Sequence, residues 1–100
     1  MKIEFLFWDE CPSHPEALAL LREVMEDNGI TDPIDMREVL THEDALELRF
    51  PGSPTIRVDG HDVDPAGADW PPGLSCRVYR LADGRPSPVP SRQQLEEAFA

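Results

Sequence analysis

The fold of this chain is decided by residues 2–14, KIEFLFWDECPSH, where an apolar strand passes directly into an amphipathic helix. Residues 2–8 are typical of a strand, and Asp9 and Glu10 form a turn after it. Cys11 stands at the junction, where unpaired backbone N–H groups and the positive end of the helix dipole favour a thiolate. This placement makes Cys11 the first candidate for a reactive residue.

The helix after Cys11 is marked by apolar residues that recur at helical spacing as far as Glu26. They are Ala17, Leu18, Leu21, Val24 and Met25. Ser13 and Glu16 have the spacing of a capping box, which predicts a helix start between residues 12 and 14. The Asn-Gly pair at residues 28–29 predicts its end.

The remaining segments predict an α/β fold. In chain order they are a strand over 34–40, a short helix from a cap formed by Thr41 with Asp44 to about Arg49, a hairpin over 55–63, a loop over 64–73, a strand over 76–81 and a final helix capped by Ser91 with Gln94. Asp59-Gly60 is the dipeptide that two-residue hairpins favour, and Pro86, Pro88 and Pro90 preclude a central strand. The predicted order is β-α-β-α-β-β-α, with an extra loop or strand before the last helix, in one domain over residues 1–100.

The amino-acid composition limits which classes of partner are expected. The 100 residues include 20 Asp and Glu against 9 Lys and Arg, a net charge of −11 that repels phosphate backbones and anionic membranes. Neither nucleic acid nor a membrane is therefore expected as a partner. The N-terminal apolar run is too short for a secretory signal, and two cysteines without an export signal indicate a reducing compartment, so a cytoplasmic location is predicted.

A wider pattern extends from Cys11 to the segment Ser53-Pro54-Thr55, which opens the third predicted strand, and to the hairpin over residues 54–64. With this order of elements, the chain resembles the thioredoxin and glutaredoxin superfamily. The resemblance implies a thioredoxin-like fold, a central mixed sheet flanked by helices. It also implies that Pro54 is cis and faces Cys11, that Ser53 presents its backbone to a bound peptide or thiol, and that Trp8 shapes one wall. A substrate would then meet Trp8, Pro12, Ser13, Ser53, Pro54 and Thr55.

The chain departs from that family at two places. The usual Cys-x-x-Cys is here CPSH, residues 11–14, so that His14 replaces the second cysteine. Many glutaredoxins have two glycines after the hairpin, whereas this chain has Asp64, which would repel the carboxylate of glutathione. Nothing at position 14 can displace a mixed disulfide from Cys11, and another thiol must do so.

Cys76 is the only internal candidate for that resolving thiol. An equally good interpretation is that Cys76 is a small buried side chain at the head of a strand, beside Leu74 and Val78. His14 would share a helix face with Cys11 if the helix included both, and could then stabilise a thiolate; the alternative is a solvated surface histidine. Asp9 and Glu10 raise the thiol pKa while the helix terminus lowers it, so the sign of the net shift stays open.

The leading prediction is a small redox protein in which the Cys11 thiolate attacks a disulfide or an electrophile and Cys76 or an external thiol resolves the mixed disulfide. The expected partner is a protein disulfide or a small-molecule thiol substrate. No cofactor is predicted. The first alternative is a sensor or carrier of a soft metal or organomercurial that uses Cys11, His14 and Cys76, although these ligands do not single out a metal. The second is an interaction domain whose redox function has lapsed. Trp70, before two prolines, either covers the site or fastens its loop. The sequence leaves the oligomeric state open.

Overall fold

The computed structural model describes all residues, 1–100, and contains one four-stranded sheet, one two-stranded ribbon and three helices. The sheet consists of β1 (Ile3–Phe7), β2 (Ile34–Glu38), β3 (Thr55–Val58) and β4 (His61–Asp62). The ribbon pairs β5 (Tyr79–Arg80) with β6 (Pro86–Ser87), and the helices are α1 (His14–Asp27), α2 (His42–Leu48) and α3 (Arg92–Phe99). A single 3-10 turn lies at Pro65–Gly67.

The sheet has the spatial order β2-β1-β3-β4 and is mixed. β1 runs parallel to β2, and α1 makes the crossover that a parallel pair requires. β3 runs antiparallel to both β1 and β4, so that Ile3 lies between Ile34 on one side and Val58 on the other. The two-residue Asp59-Gly60 turn joins β3 to β4, which confirms the hairpin prediction.

Helices cover both faces of this sheet because successive side chains of β1 point in opposite directions. Ile3 and Phe5 belong to the larger core, which also contains buried residues of α1 and α3. Leu6 belongs to a second core with Ala45 of α2. Helices α1 and α3 therefore share one face of the sheet, and α2 lies on the other.

Two of the three predicted helix caps are present. The Thr41 hydroxyl accepts a hydrogen bond from the backbone N–H of Asp44 at 3.1 Å, and Ser91 with Gln94 forms a complete capping box. The capping box predicted for Ser13 with Glu16 is wrong, because the Ser13 side chain makes no cap hydrogen bond. Its hydroxyl lies instead 3.2 Å from the sulfur of Cys11.

Two predicted strands are shorter than expected. The strand predicted over 34–40 ends at Glu38. The strand predicted over 76–81 is regular only at Tyr79–Arg80, because Cys76 makes an isolated bridge to Ser53 and not to a neighbouring strand. As expected from the prolines, the later segment enters no central strand and forms only the short β6.

The observed class is thus α/β, with a mixed four-stranded sheet and three helices, as predicted. None of the three helices combines the length with the apolar character needed to cross a bilayer.

Candidate thiol site

Cys11 lies in the loop between β1 and α1, three residues before the first helical residue, His14. Its backbone N–H donates to the carbonyl oxygen of Trp8 at 3.0 Å, which closes the turn after β1. The side chain is 0% exposed. The sequence placed Cys11 correctly at the strand-to-helix junction, and the structure adds that its sulfur is fully covered.

The loop before β3 lies directly against Cys11. The Cys11 sulfur is 3.4 Å from the carbonyl oxygen of Ser53, and the Ser53 hydroxyl accepts from the backbone N–H of Trp8 at 2.9 Å. The peptide bond between Ser53 and Pro54 is cis, in agreement with the resemblance. Ser53 therefore links the loop of Cys11 to the start of β3.

Cys76 reaches the same place through its backbone. The N–H of Ser53 donates to the carbonyl oxygen of Ser75 at 2.7 Å, and the carbonyl oxygen of Ser53 accepts from the N–H of Arg77 at 2.9 Å. This parallel pairing holds Cys76 beside Cys11, and the two thiols are close enough that each shifts the pKa of the other. Both cysteines are free thiols, and Cys76 is exposed whereas Cys11 is buried. The interpretation of Cys76 as a small buried core residue is therefore wrong.

The pairing changes what Ser53 can do. The resemblance implies that its backbone faces a bound peptide or thiol, but the N–H and the carbonyl of Ser53 are both occupied by the segment Ser75–Arg77. The segment takes the place that an extended peptide strand would need. In this state Ser53 presents Cys76 to Cys11 and has no free backbone group for a substrate.

Gly52 allows the segment to approach so closely. A Cβ at Gly52 would lie 2.9 Å from the Cα of Arg77, closer than carbon atoms normally come. Gly52 also has φ of +133°, a backbone conformation that residues with a Cβ rarely adopt. A larger residue at position 52 would push the Cys76 segment away from Ser53.

Arg77 anchors the segment that contains Cys76. Its guanidinium is almost completely buried and forms two hydrogen bonds of 2.8 Å with the carboxylate of Asp62, in the two-point geometry that arginine and a carboxylate favour. It also donates to the Thr55 hydroxyl at 3.2 Å and to the Asp64 carbonyl at 3.1 Å. The cation lies 4.5 Å from the centre of the Tyr79 ring.

These contacts connect the segment of Cys76 to strands β3 and β4 of the sheet. Asp62 belongs to β4, Thr55 to β3, and the Tyr79 hydroxyl donates to the carbonyl oxygen of Pro54. One atom of Arg77, the Nε, has no hydrogen-bond partner although it is buried. The position of the exposed Cys76 thus depends on a buried ion pair that the sequence analysis did not identify.

The two thiols have opposite pKa shifts. Burial raises the pKa of Cys11, but hydrogen bonds from Cys76, from the hydroxyl and backbone N–H of Ser13 and from Ser53 outweigh it, so the pKa lies below the ordinary thiol value. The pKa of Cys76 is raised to about 11; the interaction with Cys11 is the larger cause and partial burial the smaller one. Of the two thiols, Cys11 therefore loses its proton at the lower pH, and Cys76 stays protonated to a higher pH.

His14 points elsewhere. The helix begins at His14 and does not include Cys11, so the shared helix face considered above does not form. The imidazole Nε2 lies 3.7 Å from a carboxylate oxygen of Asp9, and the ring packs against Phe7 with centroids 4.8 Å apart. No three His, Cys, Asp or Glu side chains are grouped as metal ligands, so Cys11, His14 and Cys76 do not assemble the metal site of the alternative interpretation.

The other residues predicted to contact substrate are distributed around the thiols. Trp8 packs on the α2 side of the sheet and Pro12 is exposed. Pro54 and Thr55 are buried, and the Thr55 hydroxyl donates to the carbonyl of Gly52 at 2.7 Å. Of this set, Ser13 and Ser53 contact the sulfur of Cys11.

A cavity of about 190 Å³ opens beside Cys76. Its wall includes Trp70, Pro51, Pro71 and Val78, and the first of these is 60% exposed. Trp70 before two prolines was the only sequence signal for this cavity. Pro51 and Val78 carried none, because they lie 27 residues apart in sequence and meet only through the pairing at Ser53.

Comparison with known proteins finds no matching family model, no matching curated protein and no matching solved structure. The chemistry of the site therefore follows from its own geometry.

Proposed function

We propose that this protein is a thiol-disulfide redox protein in which Cys11 is the attacking thiolate and Cys76 is the resolving thiol. The observation that carries the proposal is that Ser53 contacts both cysteines: its carbonyl oxygen lies 3.4 Å from the Cys11 sulfur, and its backbone pairs with the Cys76 segment. A disulfide has an S–S bond of about 2.05 Å, so its formation requires the two neighbouring thiols to move together.

The protonation of the pair suits this division of roles. A thiolate attacks disulfides and a thiol does not, and the pKa of Cys11 is the lowered one. The Cys11 thiolate attacks one sulfur of a substrate disulfide, forms a mixed disulfide and releases the other sulfur as a thiolate. Cys76 loses its proton to that leaving group or to solvent and attacks the Cys11 sulfur, which releases the second substrate thiolate.

The products balance: one substrate disulfide and two protein thiols become two substrate thiols and one disulfide between Cys11 and Cys76. Once Cys11 is bonded to substrate it no longer carries negative charge, and the interaction that raises the pKa of Cys76 is lost. Cys76 then becomes a better nucleophile at the moment when it must act. An external dithiol returns the protein to its reduced state.

We also infer that the fold is thioredoxin-like. Two features support this: the strand order β2-β1-β3-β4 with a single parallel pair, and the helices on both sheet faces. In such a protein His14 replaces the second cysteine of the usual motif, and Cys76 takes over its chemical role from another segment. A cytoplasmic location belongs to this proposal, since a reducing compartment would keep both thiols available.

The substrate is better described as a small molecule than as an extended peptide strand. The backbone groups of Ser53 that a peptide would pair with are occupied by Ser75 and Arg77. Because Cys11 is buried and Cys76 is exposed, we expect substrate to reach Cys11 past a rotated Cys76 side chain.

The experiment that tests the proposal is intact-mass analysis of the reduced protein after mild oxidation with a small disulfide, combined with peptide mapping. We expect a monomer that has lost two hydrogens, with Cys11 bonded to Cys76. The Cys76→Ser variant should instead accumulate a stable mixed disulfide on Cys11, because nothing resolves it. Cys11→Ser is the matched control and should accumulate neither product at a comparable rate.

Two results would overturn the proposal. If both thiols of the native protein stay free and react no faster than a model thiol, the protein is a non-redox domain with this fold. If Cys76→Ser releases its mixed disulfide as fast as the native protein, Cys76 is not the resolving thiol.

A further inference from the structure

The cavity beside Cys76 has the character of a binding site for an uncharged apolar group. Trp70 and Val78 form part of its wall and remain 60% and 50% exposed, although both are large apolar side chains. Pro51 and Pro71 add two further apolar surfaces. Cys76, whose thiol is exposed, lines the same wall, so a group that enters the cavity comes next to Cys76, the neighbour of the buried Cys11.

The cavity offers no free charge to an ionic ligand. Arg77 is the only charged residue in the wall, and its guanidinium is already paired with the carboxylate of Asp62 at 2.8 Å. The chain as a whole has a net charge of −11, which disfavours the approach of anions. The paired Arg77 leaves no free charge to hold an ion of either sign, and the net charge disfavours anions in particular, so a neutral occupant fits best.

The size of the cavity limits the occupant to one compact group. Its volume is about 190 Å³. An apolar protein cavity of roughly 150 Å³ is large enough to hold benzene. A single aromatic ring therefore fits, whereas a folded protein surface or a long peptide does not.

We propose that this cavity takes the aromatic or compact apolar group of a neutral low-molecular-weight disulfide, and so selects the substrate of the thiol pair. The inference rests on the proposed function, because the cavity acts by holding a disulfide next to Cys11. The Cys11 thiolate attacks the sulfur that carries the bound group, and the other half of the disulfide leaves as a thiolate. Cys76 then displaces the bound group as a second thiolate and gives up its proton to it or to solvent.

Two neutral disulfides test the inference. Dithiodipyridine carries aromatic rings, and bis-hydroxyethyl disulfide carries none. Because the two probes differ in intrinsic reactivity, the rate of each with the protein is divided by its rate with a model thiol. We expect Trp70→Ala to slow the normalised reaction with dithiodipyridine by about tenfold, the range expected when a small apolar contact is lost. The reaction with bis-hydroxyethyl disulfide should change by no more than about twofold, as is usual for an exposed substitution.

Three controls accompany this comparison. Leu46→Ala removes an apolar side chain of similar exposure on α2, outside the cavity, and should leave both rates unchanged. Trp70→Phe keeps a ring and should restore most of the aromatic preference. Dithiobis-nitrobenzoate, an aromatic dianion, should be the slowest of the three probes after normalisation.

The outcomes separate this inference from the proposed function. If Cys11 and Cys76 form a disulfide with every probe but Trp70→Ala slows the two neutral probes equally or not at all, the cavity does not select the substrate and only this inference fails. If no probe oxidises the pair, the proposed function fails and this inference with it. A normalised preference for the dianion would also overturn the inference.

Discussion

The loop of Cys11 and the segment of Cys76 place the same chemical group in opposite conditions. The Cys11 sulfur is buried, lies at the entrance to α1, and has a pKa below the ordinary thiol value. The Cys76 thiol is exposed, lies in a segment without regular structure, and has a pKa raised to about 11. Each shift is produced partly by the other thiol.

The difference shows that exposure alone does not identify the reactive thiol. Burial by itself would keep Cys11 protonated, but donors from Cys76, Ser13 and Ser53 reverse that effect. The accessible cysteine is the protonated one. Under the proposed function, this asymmetry makes the buried thiol the attacking one and the exposed thiol the resolving one.

The largest effect should come from removing the thiolate. At pH 7 we expect Cys11→Ser to lower the rate of reaction with a small disulfide by about tenfold or more, because a thiol with an ordinary pKa near 8.5 is only a few per cent ionised. Cys76→Ser should keep the initial attack. Stopped-flow measurement of the released thiol distinguishes the two variants, and equal losses in both would show that the asymmetry has no kinetic consequence.

A second effect concerns the anchor of the Cys76 segment. Arg77→Met leaves the Asp62 carboxylate buried without its partner, and we expect the free energy of unfolding to fall by about 3–5 kcal/mol. The double variant Arg77→Met, Asp62→Leu removes both charges and should recover much of that loss. Urea unfolding monitored by circular dichroism measures both variants. If the single variant is as stable as the native protein, the ion pair does not hold the segment.

Gly52 offers a smaller perturbation of the same segment. Gly52→Ala combines a strained φ with a contact of 2.9 Å to Arg77, and we expect a loss of about 1–3 kcal/mol in unfolding free energy together with a rise in the pKa of Cys11. Gly29→Ala is the matched control, because Gly29 also has positive φ but nothing lies within 4 Å of its Cβ. The control should lose stability without moving the pKa of Cys11. A pKa rise in both variants would contradict the close approach at Gly52.

The smallest expected effect is a pH dependence of stability. The folded state raises the pKa of Cys76 above its ordinary value, so this contribution to stability is complete below about pH 8.5 and is lost as the pH rises to about 11. Cys11 has the opposite sign, and its contribution is lost only as the pH falls through its lowered pKa. We therefore expect the reduced native protein to lose more stability between pH 8.5 and 11 than Cys76→Ser does. Thermal unfolding across that range measures the difference, and parallel curves would contradict it.

Local patterns predicted much of the fold. An apolar, β-rich run predicted β1, helical spacing predicted α1, and the Asp59-Gly60 dipeptide predicted the hairpin, because each depends on residues close in sequence. The capping prediction at Ser13 and Glu16 is wrong, since the hydroxyl of Ser13 lies against the sulfur of Cys11 and does not cap the helix. Such competition is visible only when the loop is folded.

The site was only half predictable for the same reason. Cys11 is marked by its place between a strand and a helix, and the resemblance correctly implied a cis bond before Pro54. Nothing near Cys76 or Arg77 in sequence indicates their partners, Cys11 and Asp62, which lie 65 and 15 residues away. Contacts of that separation are produced by the packing of the whole chain.

The most direct test of the asymmetric thiol pair is a pH titration of the reduced protein labelled with carbon-13 at the cysteine β-carbons, followed by NMR. We predict two steps: the first below the ordinary thiol range and mainly at the Cys11 signal, the second near pH 11 and mainly at the Cys76 signal. In Cys76→Ala, the Cys11 step should move to higher pH because its donor is gone. If both cysteines of the native protein titrate together near pH 8.5 to 9, the two thiols do not interact and the account of the site is wrong.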